Sequence, residues 1–167
     1  VFAPDRDGFE QYVVARRGAL LRTAYLLTGQ HQDAEDLVQV ALVKAVPKWR
    51  RIADDPELYV RRILVHENVS RWRSRRWREH STAVLPEAPA VGPDLDGREV
   101  LRSALLRLAP RQRAVLVLRY YDDLTERETA EALGIAVGTV KSQARDALAR
   151  LRVLVPDGEE ALTTVEP

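Results

Sequence analysis

Residues 71–78, RWRSRRWR, place five arginines and two tryptophans, Trp72 and Trp77, in eight positions. A guanidinium neutralises phosphate, and an indole offers a flat face on which an unpaired base stacks, worth about 1–3 kcal/mol per base. The pattern suits a surface that holds nucleic acid with its bases exposed. Arginines near a helix C-terminus also complement the macrodipole, which accounts for two or three of the five. It leaves the tryptophans unexplained, unless one of them belongs to a core.

A second set lies in residues 125–151, TERETAEALGIAVGTVKSQARDALARL. Thr125 and Glu128 have the spacing of a capping box, a hydroxyl at N-cap and a carboxylate three residues on. Gly134 stops the helix, because a left-handed C′ position costs glycine least. A second helix begins near Val137. Ala130 is small where the two helices must cross, and Val140 is an apolar plug for the same junction. The layout is a helix-turn-helix, which projects its second helix into a DNA major groove. A plain helical hairpin would share the glycine but has no need of the joint pattern.

Other chemistry is poorly served. With no cysteine there is no disulfide, thiolate metal site or cysteine nucleophile. His31 near Asp33 and His66 beside Glu67 are the His–acid neighbourhoods, and neither has a metal-binding spacing such as HExxH. An enzyme is disfavoured, and no cofactor is expected. No apolar run approaches membrane-spanning length and no signal-peptide pattern is present, so membrane insertion is not expected and the expected location is cytoplasmic.

The elements that must position these residues read as all-α. A first helix is expected over 8–27, ended by Thr28-Gly29. A second is expected over 33–46, with Ala34, Leu37, Val38, Ala41, Leu42 and Ala45 as its core stripe, stopped by Pro47. Its opposite face holds Asp33, Asp36, Gln39, Val40 and Val43, acidic at first and apolar further on. That face is either a partner surface or is covered by neighbouring helices. A third helix, 56–79, carries two apolar stripes: Tyr59, Val60, Ile63 and Leu64, and Val65, Val69 and Trp72. One must pack on the core, and spacing alone does not say which. Residues 80–97 are a linker, with Pro86, Pro89, Pro93, Gly92 and Gly97 breaking helical periodicity. It suits two domains that could stand tens of ångströms apart. Net charge is +4 over 1–79, −3 over 80–97, +4 over 98–152 and −4 over 153–167, giving +1 for the chain. Two mildly basic domains are thus split by an acidic linker and followed by an acidic tail with no readable role.

In this order the motifs resemble a known family. DAEDLVQ (33–39), YVRRILVHENVSRWRSRRWRE (59–79) and LAPRQRAVLVLRYYDDLTERETAEALGIAVGTVKSQARDALARLR (108–152) are similar to bacterial sigma factors of the extracytoplasmic-function group, group 4 of the sigma-70 family. The wording is of actinobacterial type. The resemblance implies two small helical domains: region two over 1–79, the linker 80–97, region four over 98–152, then the tail 153–167. It implies a subunit that binds core RNA polymerase and directs promoter-specific initiation. Its partners would be promoter DNA, the clamp helices of the largest polymerase subunit and the flap of the second, with an anti-sigma factor as a further candidate.

Carried over residue by residue, the polymerase face is Asp33, Asp36, Leu37, Gln39 and Val40. Minus-ten recognition and melting fall to Arg61, Arg62, Asn68, Arg71, Trp72, Arg73, Arg75 and Arg76, with a base pocket around 51–56. Minus-thirty-five recognition falls to Gly138, Thr139, Lys141, Ser142 and Arg145. The chain departs from the common pattern at His66, where many members have Asn, at Ser70, where many have Asp, and at Ala136, where Ser is usual. A stand-alone helix-turn-helix regulator would explain 125–151 but neither DAEDLVQ nor RWRSRRWR. A purely structural helical adaptor would leave the arginine–tryptophan cluster unexplained.

Overall fold

A computed structural model describes residues 6–79 and 97–164, and every regular element in them is helical. Helix α1 spans Arg6–Thr28 and α2 spans His31–Ala45. Gly29 makes the corner between them at φ 79°, its N–H donating to Tyr25 O at 2.7 Å. Pro47 ends α2 in a 3-10 turn over Val46–Lys48, and the short α3, Trp49–Ile52, leads to α4, Pro56–Glu79. Leu20, Ala24, Leu37, Val38, Ala41, Val60 and Leu64 form the core of this N-terminal unit. Trp49, 3% exposed, is packed against Phe9 and Tyr12 at its edge, with ring centroids 5.1 and 5.3 Å away.

The C-terminal unit begins with α5, Gly97–Leu106, and α6, Pro110–Leu116, which runs on into a π-helical stretch over Val117–Tyr121. The wider π turn closes Asp122 N–H onto Val117 O and Leu124 N–H onto Leu118 O, both at 2.9 Å, and leaves Asp123 at φ 54°. Aspartate is among the few non-glycine residues that accept that backbone conformation. Helix α7, Glu126–Leu133, and α8, Val137–Leu154, form the helix-turn-helix. The chain closes with α9, Gly158–Thr164.

That last helix lies in the stretch with no readable role in the sequence. Leu162 is fully buried against the C-terminal core, and Gly158 lies so close to Leu151 that an added Cβ would fall 2.8 Å from its Cγ. A signal was present: Glu159 and Glu160 sit in the first turn, where carboxylates favour a helix N-terminus.

The two units do not stand apart in this arrangement. One apolar cluster joins Leu26, Leu27 and Val65 of the N-terminal unit to Leu101, Leu105, Leu116, Leu118, Leu148, Leu151 and Leu162 of the C-terminal one. This settles the two stripes of α4. Val60 and Leu64 pack inside their own unit, whereas Val65 packs on the other. The linker, residues 80–96, lies outside the described residues.

Candidate nucleic-acid interface

Three surfaces carry the residues singled out in the sequence. The first is the outer face of α2. Asp36 and Gln39 are exposed, Asp33 and Val40 half-buried, and Val43 is 64% exposed, so neighbouring helices do not cover it. Leu37 differs from its neighbours on that list: it is fully buried in the N-terminal core and supports the face from beneath. Its position in the 3.6-residue repeat places it on the core stripe. Asp33 accepts from Arg75 Nη2 at 3.3 Å, which ties this face to the arginine-rich end of α4.

The second surface is that end of α4. Trp72 is 39% and Trp77 83% exposed, so neither belongs to a core; the tryptophan that does is Trp49. Arg76 lies 5.1 Å from the centroid of the Trp72 ring, a cation–π distance. Arg62, Arg73, Arg75 and Arg76 are exposed and Arg71 half-buried. Residues 51 and 53–55, the turn before the helix, are exposed as well.

Two members of the same set are not on this surface. Arg61 is 6% and Asn68 7% exposed, so neither reaches DNA in this arrangement. Arg61 is instead the middle of a buried charge chain. Arg16 Nη2 donates to Glu57 Oε1 at 2.8 Å and Tyr12 donates to Glu57 Oε2 at 3.0 Å. Glu57 also accepts from Arg61, one helical turn away. Arg61 reaches on to Asp122, with Nε 2.9 Å from Oδ2 and Nη2 3.2 Å from Oδ1. Burial opposes the charge on Arg61, but the bond to Asp122 and the fields of Asp122 and Glu57 outweigh it and hold its pKa above the usual value. Burial likewise opposes ionisation of Glu57, yet Arg16, Arg61 and Tyr12 together hold its pKa below the ordinary carboxylate value.

The third surface is the N-terminal half of α8. Thr125 caps α7, accepting from Glu128 N–H at 3.1 Å, while Glu128 Oε2 accepts from Thr125 N–H at 2.7 Å. Donation to its carboxylate from the Thr125 N–H, and from the Thr125 hydroxyl, lowers the Glu128 pKa. Gly134 closes the helix at φ 65°. Val115, Ala130 and Val140 form the small core at the junction, as the spacing of Ala130 and Val140 predicts. The plug turns the rest of the helix outward: Gly138, Thr139, Lys141 and Arg145 are exposed and Ser142 half-buried. The Ala136 carbonyl accepts from Thr139 N–H at 2.9 Å and from Val140 N–H at 3.1 Å, but Ala136 offers no side-chain cap to the helix N-terminus, a setting that favours phosphate. Lys141 lies 3.6 Å from Glu126, and Arg145 pairs with the adjacent Asp146 at 3.2 Å. These are solvent-exposed pairs, held weakly enough for DNA to replace.

Two family models match this chain. Residues 13–78 match the sigma-70 region 2 model and residues 98–151 match the sigma-70 region 4 model. RNA polymerase sigma-E factor of Streptomyces coelicolor is 43% identical over 149 residues, covering 86% of this chain and 84% of that protein. The chain belongs to the RNA polymerase sigma factors. The extracytoplasmic-function sigma factor SigM of Mycobacterium tuberculosis is 32% identical over 158 residues, covering 92% of this chain and 80% of that protein. Among solved structures, sigma factor RpoE from Bartonella quintana, in complex with the anti-sigma factor NepR, superposes with a TM-score of 0.71 at 28% identity. That match covers 89% of this chain and 96% of the other.

Sigma factors bind core RNA polymerase and direct it to promoters as initiation factors. In this sigma factor, sequence reasoning missed Asp122 and Arg113. Arg113 is 7% exposed and donates through Nε to Leu105 O at 2.9 Å and through Nη2 to Leu108 O at 3.2 Å. Its Nη1 crosses to region two and donates to Leu27 O. Burial pushes its pKa down to about 10, which leaves it charged at neutral pH. Nothing local marks either residue for the seam, since the partners met there, Leu27 for Arg113 and Thr23 and Arg61 for Asp122, lie 86, 99 and 61 residues away. Among the described residues, no helix is long and apolar enough to cross a membrane.

Proposed function

We propose that the three open surfaces divide the work of initiation. The face of Asp33, Asp36, Gln39 and Val40 on α2, backed by Leu37, docks on the clamp helices of the largest polymerase subunit. The arginine–tryptophan end of α4 holds the opened minus-ten element, with Trp72 stacking on an unpaired base and Arg62, Arg71, Arg73, Arg75 and Arg76 on phosphates. Gly138, Thr139, Lys141, Ser142 and Arg145 on α8 read the minus-thirty-five element, where Lys141 or Arg145 can donate to guanine edges. Region four also meets the flap of the second subunit. Arg61 and Asn68 join the minus-ten contacts only in an arrangement that uncovers them. The protein acts in the cytoplasm, catalyses no reaction of its own, and is open to restraint by an anti-sigma factor, as the RpoE relative is in its complex with NepR.

The observation that carries this reading is α2. Ala34, Leu37, Val38, Ala41 and Ala45 are buried while Asp36, Gln39 and Val43 stay exposed, so an acidic and apolar face is left uncovered by the other described helices. The test is Asp36→Arg in the full chain with core polymerase. Charge reversal on an exposed position should leave the fold intact and reduce core binding at least tenfold. Unchanged affinity for core would remove the assignment. A stand-alone regulator would protect its DNA site without core enzyme.

A further inference from the structure

Region two and region four are fastened by polar contacts as well as by apolar packing, and those contacts have a direction. The side-chain partners the structure gives Asp122 lie on region two. Thr23 Oγ1 donates to Asp122 Oδ1 at 2.7 Å, and Arg61 donates to the same oxygen through Nη2 at 3.2 Å, with its Nε in ion-pair contact with Oδ2 at 2.9 Å. The Asp122 side chain is 3% exposed and that of Arg61 8%. The π-helical turn before Asp122 is what brings its carboxylate to the seam. A second fastening lies at the C-terminus of α1, whose last carbonyls have no partner within the helix. Arg113 donates to Leu27 O, and Arg102 Nη1 donates to Gly29 O at 2.7 Å. Two cations of region four thus cap the negative end of a region-two helix.

In this closed form the two promoter-reading helices face each other. His66, Ser70 and Arg73 of α4 and Thr139 and Gln143 of α8 line one cleft of about 300 Å³. The elements they would read are separated by about 25 base pairs, roughly 85 Å of duplex at 3.4 Å per step. The closed form therefore cannot engage both elements of one promoter. It also keeps Arg61, a minus-ten candidate, occupied by Asp122.

We propose that the Thr23–Asp122–Arg61 contact is an intrinsic latch that holds this sigma factor closed before it meets polymerase. The RpoE relative superposes over both regions while held by an anti-sigma factor; here the chain's own residues hold the arrangement. A buried ion pair suits a latch. It adds little net stability, because dehydration offsets attraction, but removing one partner strands the other charge in the closed state. When the units separate, water meets both groups, so the substitution penalises the closed form alone. The α2 face stays open in the closed form, but a form whose promoter-reading helices face each other cannot take up the promoter-spanning arrangement held on polymerase, so its population weakens apparent affinity for core polymerase. The inference rests on the core-binding reading above, and its experiment separates the two.

The test is Asp122→Asn, which keeps the shape and removes the charge. The chain has no cysteine, so dyes can be placed at Val14→Cys and Val153→Cys, positions 86% and 84% exposed and outside the proposed contact surfaces. In the full chain, Asp122→Asn should produce a second population of altered energy transfer. It should also raise the radius of gyration above the roughly 15 Å of a compact chain of this length. Apparent affinity for core polymerase should tighten about three- to tenfold. Thr23→Val, which removes one hydrogen bond and no charge, should shift all three in the same direction by less, and it serves alone if Asp122→Asn loses helical structure. Identical energy transfer, radius and polymerase affinity in parent and variants would overturn the latch. Failure of the parent chain itself to bind core would count against the core-binding reading, while the energy-transfer and scattering measurements would still decide whether the contact holds the closed form.

Discussion

Along α4, residues 57–69 and residues 70–78 use arginine in different ways. In the first half Arg61 is enclosed between Glu57 and Asp122 at 6% exposure, and Val60, Leu64 and Val65 fill two cores. In the second half Arg73, Arg75 and Arg76 stand exposed around Trp72, with Arg75 in loose contact with Asp33 at 3.3 Å and Arg76 over the Trp72 ring at 5.1 Å. One unbroken helix therefore passes from a structural beam to the surface proposed to hold opened DNA. An arginine is committed to the fold when burial forces a carboxylate onto it. It stays available to phosphate when its protein partners are exposed and easily exchanged.

Three substitutions break or sharpen that contrast. The largest effect belongs to Leu64→Ala, at a position with no exposed surface. It should cost about 2–5 kcal/mol through lost burial and the cavity left behind, read as a lower urea midpoint. Trp72→Ala at the other end should move that midpoint by no more than about 0.5 kcal/mol. It should instead slow promoter opening by a factor set by about 1–3 kcal/mol of lost stacking, followed by permanganate reactivity of the unpaired bases. A variant that unfolds easily yet opens promoters normally would reverse the assignment of Trp72.

The smallest effect belongs to the hinge of the contrast, Glu57→Gln. It should cost about 1–2 kcal/mol at neutral pH, because Arg16 and Arg61 lose a charged acceptor. Glu57 has a folded-state pKa below its ordinary value of 4.5. Its contribution is therefore complete above 4.5 and is lost as pH falls through the lower folded-state value. Urea midpoints of parent and Glu57→Gln should differ at pH 7 and converge in acid. A gap that persists unchanged in acid would mean that shape, not charge, sets the role of Glu57.

Much of the candidate site was legible because its signals are local. The capping box of Thr125 and Glu128 and the left-handed Gly134 depend on neighbours three or four residues away, and the plug at Val140 meets Ala130 ten residues before it. The open face of α2 was legible as a pattern, but two outcomes fitted it until the neighbours were placed. The family resemblance assigns Arg61 and Asn68 to one minus-ten set with the exposed arginines of their helix. Spacing does not reveal that the C-terminal unit closes over the first half of that helix. Helix α9 escaped notice because seven residues with one fully buried leucine carry almost no periodic signal.

The sequence by itself determined α1, α2, α4, α7 and α8, the cap of α7 and the three faces proposed to meet polymerase and promoter, since each follows from 3.6-residue periodicity and short-range hydrogen bonding. Only the tertiary structure decided which stripe of α4 meets which core. It alone decided that Arg113 caps a helix of the other region, and that Arg61 belongs to Asp122. Arg61 and Asp122 are 61 residues apart. A pairing at that range is set by how two separately folded units meet, and their own patterns leave that meeting open.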